Sequence, residues 1–193
     1  DSRIDINALK SGLTANMDLS LSFWIKKTNT TINVYPFGFH DGSNSDLIWQ
    51  MDGNSTAQLT KLIVDGTQLG TITVPTTHEF TNLWRHVVIV IEDGAQAKLY
   101  VDGTAMGNYT TANADTANID DVDEILLGGE LDSGGGAPTN DFTGYISEWR
   151  VYNTILTAGN AQALFNLPSG PLSQGTKISG DMISTGKIQS NNW

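Results

Sequence analysis

The residues best equipped for chemistry are two runs rich in side-chain oxygen. His40-Asp41-Gly42-Ser43-Asn44-Ser45-Asp46 concentrates carboxylate, hydroxyl and amide oxygens in seven positions. Asp132-Ser133-Gly134-Gly135-Gly136, continuing to Asn140-Asp141, adds a long glycine-rich stretch whose backbone carbonyls can turn inward. A Ca2+ ion takes roughly six to eight oxygen ligands at about 2.3–2.6 Å, which suits loops of this composition. The expected ligands are Asp41, Asp46, Asp132, Asn140 and Asp141. The spacing is not that of an EF-hand, and the competing reading is that these side chains cap turns.

Aromatic rings offer the second kind of chemistry, stacking on the C–H faces of sugars beside amides and carboxylates that hold hydroxyls. The chain has five Trp and five Tyr. Tyr35, in a turn containing Pro36, and Tyr109, in Asn108-Tyr109-Thr110, are the expected exposed rings. Trp49 alternates with Asp46, Ile48 and Gln50, so either face of its strand could carry it. Trp24, Trp84 and Trp149 lie within strand patterns and are expected to pack.

The whole composition narrows the classes. The chain has 193 residues, no cysteine, 10 basic and 21 acidic side chains, and a formal charge of −11. Phosphate binding needs a basic patch, so nucleic acid and anionic membrane are poor partners. Without cysteine there is no disulfide framework, thiolate metal site or cysteine nucleophile. Sixteen of the acids are Asp and five are Glu, a bias toward turns and loop-built cation sites rather than charged helices. No apolar run approaches the ~20 residues of a membrane helix. The chain opens Asp1-Ser2-Arg3 without Met, as expected of a piece of something longer.

The elements that must position these groups read as strands. Leu19, Leu21, Phe23 and Ile25 alternate with Ser20, Ser22, Trp24 and Lys26. Further strands are expected at Leu47–Met51, Gln58–Val64, Thr71–Val74, Trp84–Glu92, Lys98–Val101, Ile125–Leu127 and Phe142–Tyr152. Val87–Ile91 is β-branched on both faces and should be covered on both; were one face left open, it would suggest a protein partner. Asp65-Gly66, Asp93-Gly94 and Asp102-Gly103 supply the positive φ values of hairpin turns. Thr157 is placed to cap a short helix carrying Ala161, Leu164 and Phe165. After Pro168 the character changes. Ile178, Ile183, Ile188 and Trp193 recur every five residues in a Gly/Ser/Thr-rich background, a period that fits neither helix nor strand. The expected architecture is an all-β, two-sheet antiparallel jelly-roll sandwich over residues 1–167 with one short C-terminal helix. An extended linker or fibre segment follows at 168–193.

Two segments carry a family pattern: Trp84-Arg85-His86-Val87-Val88 through Asp93-Gly94 to Lys98-Leu99-Tyr100-Val101-Asp102-Gly103, and Phe142-Thr143-Gly144-Tyr145-Ile146-Ser147-Glu148-Trp149-Arg150-Val151-Tyr152-Asn153, ending Ile155-Leu156. With Leu21-Ser22-Phe23-Trp24-Ile25 before them, they resemble the laminin G-like branch of the concanavalin A-like lectin/glucanase superfamily. The resemblance implies a jelly roll, often with Ca2+ at one rim. It also implies structural roles for Trp84, His86, Leu99, Val101, Ile146 and Tyr152, and an ion pair for Glu148 with Arg150. The glucanase branch sets its acids as Glu-x-Asp-x-x-Glu, a spacing absent here. Asp120-Asp121-Val122-Asp123-Glu124 reads as a solvated loop, so catalysis is not expected. Residues 178–190 resemble the low-complexity segments of bacteriophage tail and virion proteins, which intertwine as trimers.

These readings converge on a non-enzymatic, calcium-supported module that recognises a host-surface glycan from a phage tail fibre or other virion surface, outside the cell. Trimerisation through the C-terminal segment and contacts with other virion proteins are expected, with neither nucleic acid nor membrane insertion. The alternatives are a purely structural virion or decoration domain and, behind it, an accessory domain of a glycoside hydrolase.

Overall fold

The computed structural model describes residues 4–5, 7–28, 34–41, 44–52, 58–129 and 141–167. Eleven strands are assigned: β1 (Ile4–Asp5), β2 (Leu19–Lys27), β3 (Val34–Asp41), β4 (Asn44–Asp52), β5 (Gln58–Val64), β6 (Thr67–Val74), β7 (Arg85–Ile91), β8 (Lys98–Val101), β9 (Thr104–Asn108), β10 (Glu124–Leu127) and β11 (Gly144–Tyr152). They form a six-stranded sheet in the order β1-β10-β3-β4-β5-β6 and a five-stranded sheet in the order β11-β2-β7-β8-β9. All neighbouring pairs are antiparallel. One helix, α1 (Ala158–Phe165), follows the last strand. This is the expected sandwich; the tail at 168–193 lies outside the described residues.

Alternation determines which side chains meet between the sheets. Leu19, Leu21, Phe23 and Ile25 of β2 face Phe37, Phe39, Leu47, Trp49 and Leu62 of the other sheet in one continuous core. The opposite face of β2 is also covered. Ser20 Oγ donates to the Thr154 carbonyl at 2.7 Å and accepts from Leu156 N–H at 3.1 Å, tying down the approach to α1. Thr157 then caps the helix: its hydroxyl accepts from Asn160 N–H while the Asn160 side-chain Oδ1 accepts from Thr157 N–H at 2.9 Å. Such a reciprocal box satisfies two otherwise orphaned donors. Ala161 of α1 and Leu156 pack on Val88, Val90 and Tyr100. Both faces of β7 are therefore buried, as its sequence required, and the cover is the chain's own helix rather than a protein partner.

The turns divide more finely than the Asp-Gly pairs suggest. Asp102 and Gly103, at φ 51° and 75°, form a two-residue hairpin between Val101 and its partner Thr104. A Cβ on Gly103 would come within 2.7 Å of Gln162 Oε1 in α1, so the helix can dock only because no side chain is there. Asp93-Gly94, by contrast, sits in a six-residue connection from β7 to β8. The Asp93 carboxylate accepts from both Thr116 N–H and Thr116 Oγ1–H at 3.0 Å, so it tethers a distant loop instead of making a tight hairpin.

Candidate functional site

The structure redistributes the expected glycan-stacking rings. Trp49 and Tyr109 are fully buried in the core, so neither can present a face to a sugar. Trp49 lies on the inward face of β4, among Phe23, Phe37 and Phe80. Its indole N–H donates to Tyr109 Oη at 3.1 Å, and Tyr109 Oη shares a 2.9 Å hydrogen bond with Thr60 Oγ1. Burial pushes the Tyr109 phenol well above its ordinary range. Tyr35 is in β3 rather than a turn, half-buried, bridged to Asp141.

The acidic candidates divide between the two ends of β3. Asp141 bridges Tyr35 at the start of the strand, while Asp41 closes its other end. Six residues at about 3.3 Å each put these ends roughly 20 Å apart. Asp41 and Asp141, both expected as Ca2+ ligands, therefore cannot share one ion. Asp132 and Asn140 lie outside the described residues. Asp46 belongs to β4 and not to a loop.

At the Asp41 end a different set of acids gathers. Asp65, in the β5–β6 turn, donates its N–H to the Asp46 carbonyl at 2.9 Å, and its carboxylate accepts from Asn118 Nδ2 at 3.0 Å. Asp123 N–H reaches the His40 carbonyl at 2.7 Å, and Lys10 Nζ donates to the Asp123 carbonyl. The segment carrying Asn118, Asp121 and Asp123 is thereby laced to the ends of β3 and β4. Asp46 is its buried member: the residue is 3% exposed and its Oδ2 has no hydrogen-bond partner. Burial, reinforced by the negative charges of Asp121, Asp41 and Asp65, pushes the Asp46 carboxyl up to about 7. A buried carboxylate with an unpartnered oxygen is expensive unless it is protonated or paired with a cation.

The charge and the orphaned oxygen suit a hard cation. Among the described residues, however, no three His, Asp or Glu side chains converge tightly enough to hold a metal by themselves. Asp46 can anchor such an ion only with carbonyl, amide or water oxygens completing the shell.

The outer face of the five-stranded sheet holds a buried Ser–His pair, Ser22 Oγ to His86 Nε2 at 2.9 Å. Burial lowers His86 to about 4, and its Nδ1 has no partner to orient the ring as a general base. Glu148 on the same face is bound to Arg150 Nη2 at 2.7 Å, the expected ion pair. Trp24 and Phe165 flank the histidine. This is a packed structural histidine, not a nucleophile's partner.

Sequence reasoning placed Trp84 in the packing and passed over Tyr145. Tyr145 is 59% exposed, and its ring lies 6.1 Å from that of the half-buried Trp84.

With the architecture in place, a laminin G model of the Concanavalin A-like lectin/glucanases superfamily matches residues 1–162. The chain belongs to this superfamily. No curated protein sequence matches it. Among solved structures, a superfamily-like sandwich recurs in the heptameric SAP-like pentraxin from Limulus polyphemus, with 20% identity and a TM-score of 0.64 over 79% of this chain and 71% of that one. The CBM40 module of the Ruminococcus gnavus IT-sialidase, solved bound to α2,3-sialyllactose, gives 17% and 0.64 over 84% and 91%. The NanB sialidase of Streptococcus pneumoniae gives 16% and 0.64, the match covering 83% of this chain but 26% of the enzyme. At these identities the likeness is one of fold.

Proposed function

We propose that the chain is a non-catalytic carbohydrate-binding module whose acidic rim is completed by Ca2+. The observation that carries this reading is Asp46: a buried carboxylate with an unpartnered oxygen, held among Asp41, Asp65 and Asp121. The rim supplies few carboxylates directly. Most of the roughly six to eight oxygen positions of the ion are then left for carbonyls, water and the vicinal hydroxyls of a sugar. A module of the same fold solved with sialyllactose supports the ligand class. The buried, unoriented Ser22–His86 pair supports the absence of turnover. A glycan array probed in millimolar Ca2+ should show binding to neutral glycans that a chelator removes; an array blank in both conditions would overturn the reading.

The setting proposed for the module is a phage tail fibre or other virion surface, with three copies joined through residues 168–193. Single-site affinity is weak in such an arrangement and is raised by multivalency. The support is the Gly/Ser/Thr-rich composition of that segment and its five-residue apolar repeat. Static light scattering should give a trimer for the full chain and a monomer once residues 169–193 are removed. A monomer in both removes the trimer.

A further inference from the structure

A second surface, on the opposite sheet from the acidic rim, has the composition of a ligand site. Lys26 of β2 pairs in register with Tyr145 of β11, so their side chains stand side by side on one face. On the other flank of β2, Ile25 pairs with Arg85, and Trp84 directly precedes Arg85. Tyr145 of β11, Lys26 of β2 and Trp84, at the entry to β7, therefore lie side by side across this end of the sheet. The Tyr145 and Trp84 rings lie against each other, with centroids 6.1 Å apart and planes tilted by 44°. The group lies just past the reach of α1, whose Phe165 contacts Trp24, two residues earlier on the same face of β2. Tyr145 and the adjoining Leu83 are 59% and 46% exposed.

Two features select the occupant. At that separation the two rings pack against each other, and the exposed Tyr145 ring, set on β11, offers an apolar face to pyranose C–H groups with a polar hydroxyl at its edge. Lys26 forms no ion pair among the described residues, whereas the acid nearest along β11, Glu148, is neutralised by Arg150 at 2.7 Å. The chain carries a formal charge of −11. At physiological ionic strength, charges beyond about 8 Å are largely screened, so the cation carried beside Tyr145 by Lys26 sets the charge preference of this face.

From this juxtaposition we infer that Trp84, Lys26 and Tyr145 form a second glycan subsite, one that takes a pyranose bearing an acidic group and works without calcium. It rests on the carbohydrate-binding reading but not on the rim. Two matched probe pairs test it on the 15N-labelled full chain by NMR, in chelator: sialyllactose against lactose, and trigalacturonate against its methyl ester. The acidic member of each pair should bind about tenfold tighter. The shifts should concentrate at the Trp84 indole N–H and the amides of Lys26 and Tyr145. Tyr145→Ala, at an exposed position that leaves the core intact, should weaken binding about tenfold. Lys26→Gln should erase the acidic preference, bringing the acidic member of each pair to the affinity of its neutral partner. Shifts centred on Asp46 and Asp65, with both variants binding as the parent does, would overturn the subsite and leave the module reading standing. No response to any of the four probes would also overturn the subsite, with the calcium array deciding the wider reading independently.

Discussion

Trp49→Ala should destabilise the domain by about 3–5 kcal/mol, the range for deleting a large buried aromatic side chain. Trp49 is fully buried, edge-on to Phe23 at 5.7 Å and to Phe80 at 5.9 Å, and stacked on Phe37 at 6.3 Å. Truncation opens a cavity between the sheets and removes the donor to Tyr109 Oη. That leaves the buried Tyr109–Thr60 pair with one bond fewer. Since folded domains are stable by only about 5–15 kcal/mol, this is a large share of the total. Urea unfolding should show a much lower midpoint with an unchanged slope. Trp49→Phe, which keeps most of the ring volume, should fall between parent and alanine variant. Any loss of sugar binding should follow the unfolded fraction. A Trp49→Ala protein of normal stability that no longer binds glycan would restore the ring to the binding face and contradict its burial.

Asp46→Asn should reverse the sign of its effect with calcium. In the folded chain the Asp46 carboxyl titrates near 7, against an ordinary value of 3.8. Between about pH 4 and pH 7 the folded state therefore holds more protons at this site than the unfolded state. Stability from this group falls as pH rises through that window, and the penalty is fully present above it. Asparagine keeps the shape and removes the charge. At pH 8 in chelator the variant should be more stable than the parent, because asparagine removes the buried charge and its repulsion by Asp121, Asp41 and Asp65. Near pH 4 the two should coincide. With Ca2+ at about a hundred times its dissociation constant the parent should gain about 2.7 kcal/mol, and the variant should gain little. Thermal melts at the two pH values, with and without calcium, read all of this. A parent whose melting temperature ignores calcium at pH 8 would remove the cation from the rim.

Much of the five-stranded sheet was legible because alternation there is clean. Leu19, Leu21, Phe23 and Ile25 point one way, and the doubly apolar β7 announces cover on both sides. The Thr157 cap and the ion pair of Glu148 with Arg150 were equally local features. β3 was missed because Pro36 and Gly38 break its pattern; the strand accommodates the proline at a register irregularity between Val34 and Phe37. β9 was missed because Thr104-Ala105-Met106-Gly107-Asn108 has little side-chain signature and is mostly exposed. Without β3 the stretch from Tyr35 to Asp46 reads as a turn and a loop, and nothing in it shows that one strand holds Asp41 and Asp141 at opposite ends.

The remaining errors in the site share one cause, long-range packing. Trp49 alternates with Ile48, so the strand is apolar on both faces and periodicity could not say which ring face was buried. Tyr109 follows β9 in a polar stretch, yet its hydroxyl is claimed by Trp49 and Thr60, 60 and 49 residues away. Nothing local signals the exposure of Tyr145 either. That depends on where α1 stops covering β2, which is a matter of helix length and docking.

Glycan binding with a cation at the Asp46 rim is the function proposed for the domain. It is tested most directly by one glycan array, probed with the parent chain and Asp46→Asn side by side, each in Ca2+ and in chelator. The predicted result is calcium-dependent binding for the parent that the variant loses while remaining folded. Any binding that persists in chelator should be confined to acidic glycans and be the same for both proteins. Binding by the parent that is indifferent to calcium and to Asp46 across neutral and acidic glycans alike, or no binding at all, would contradict it.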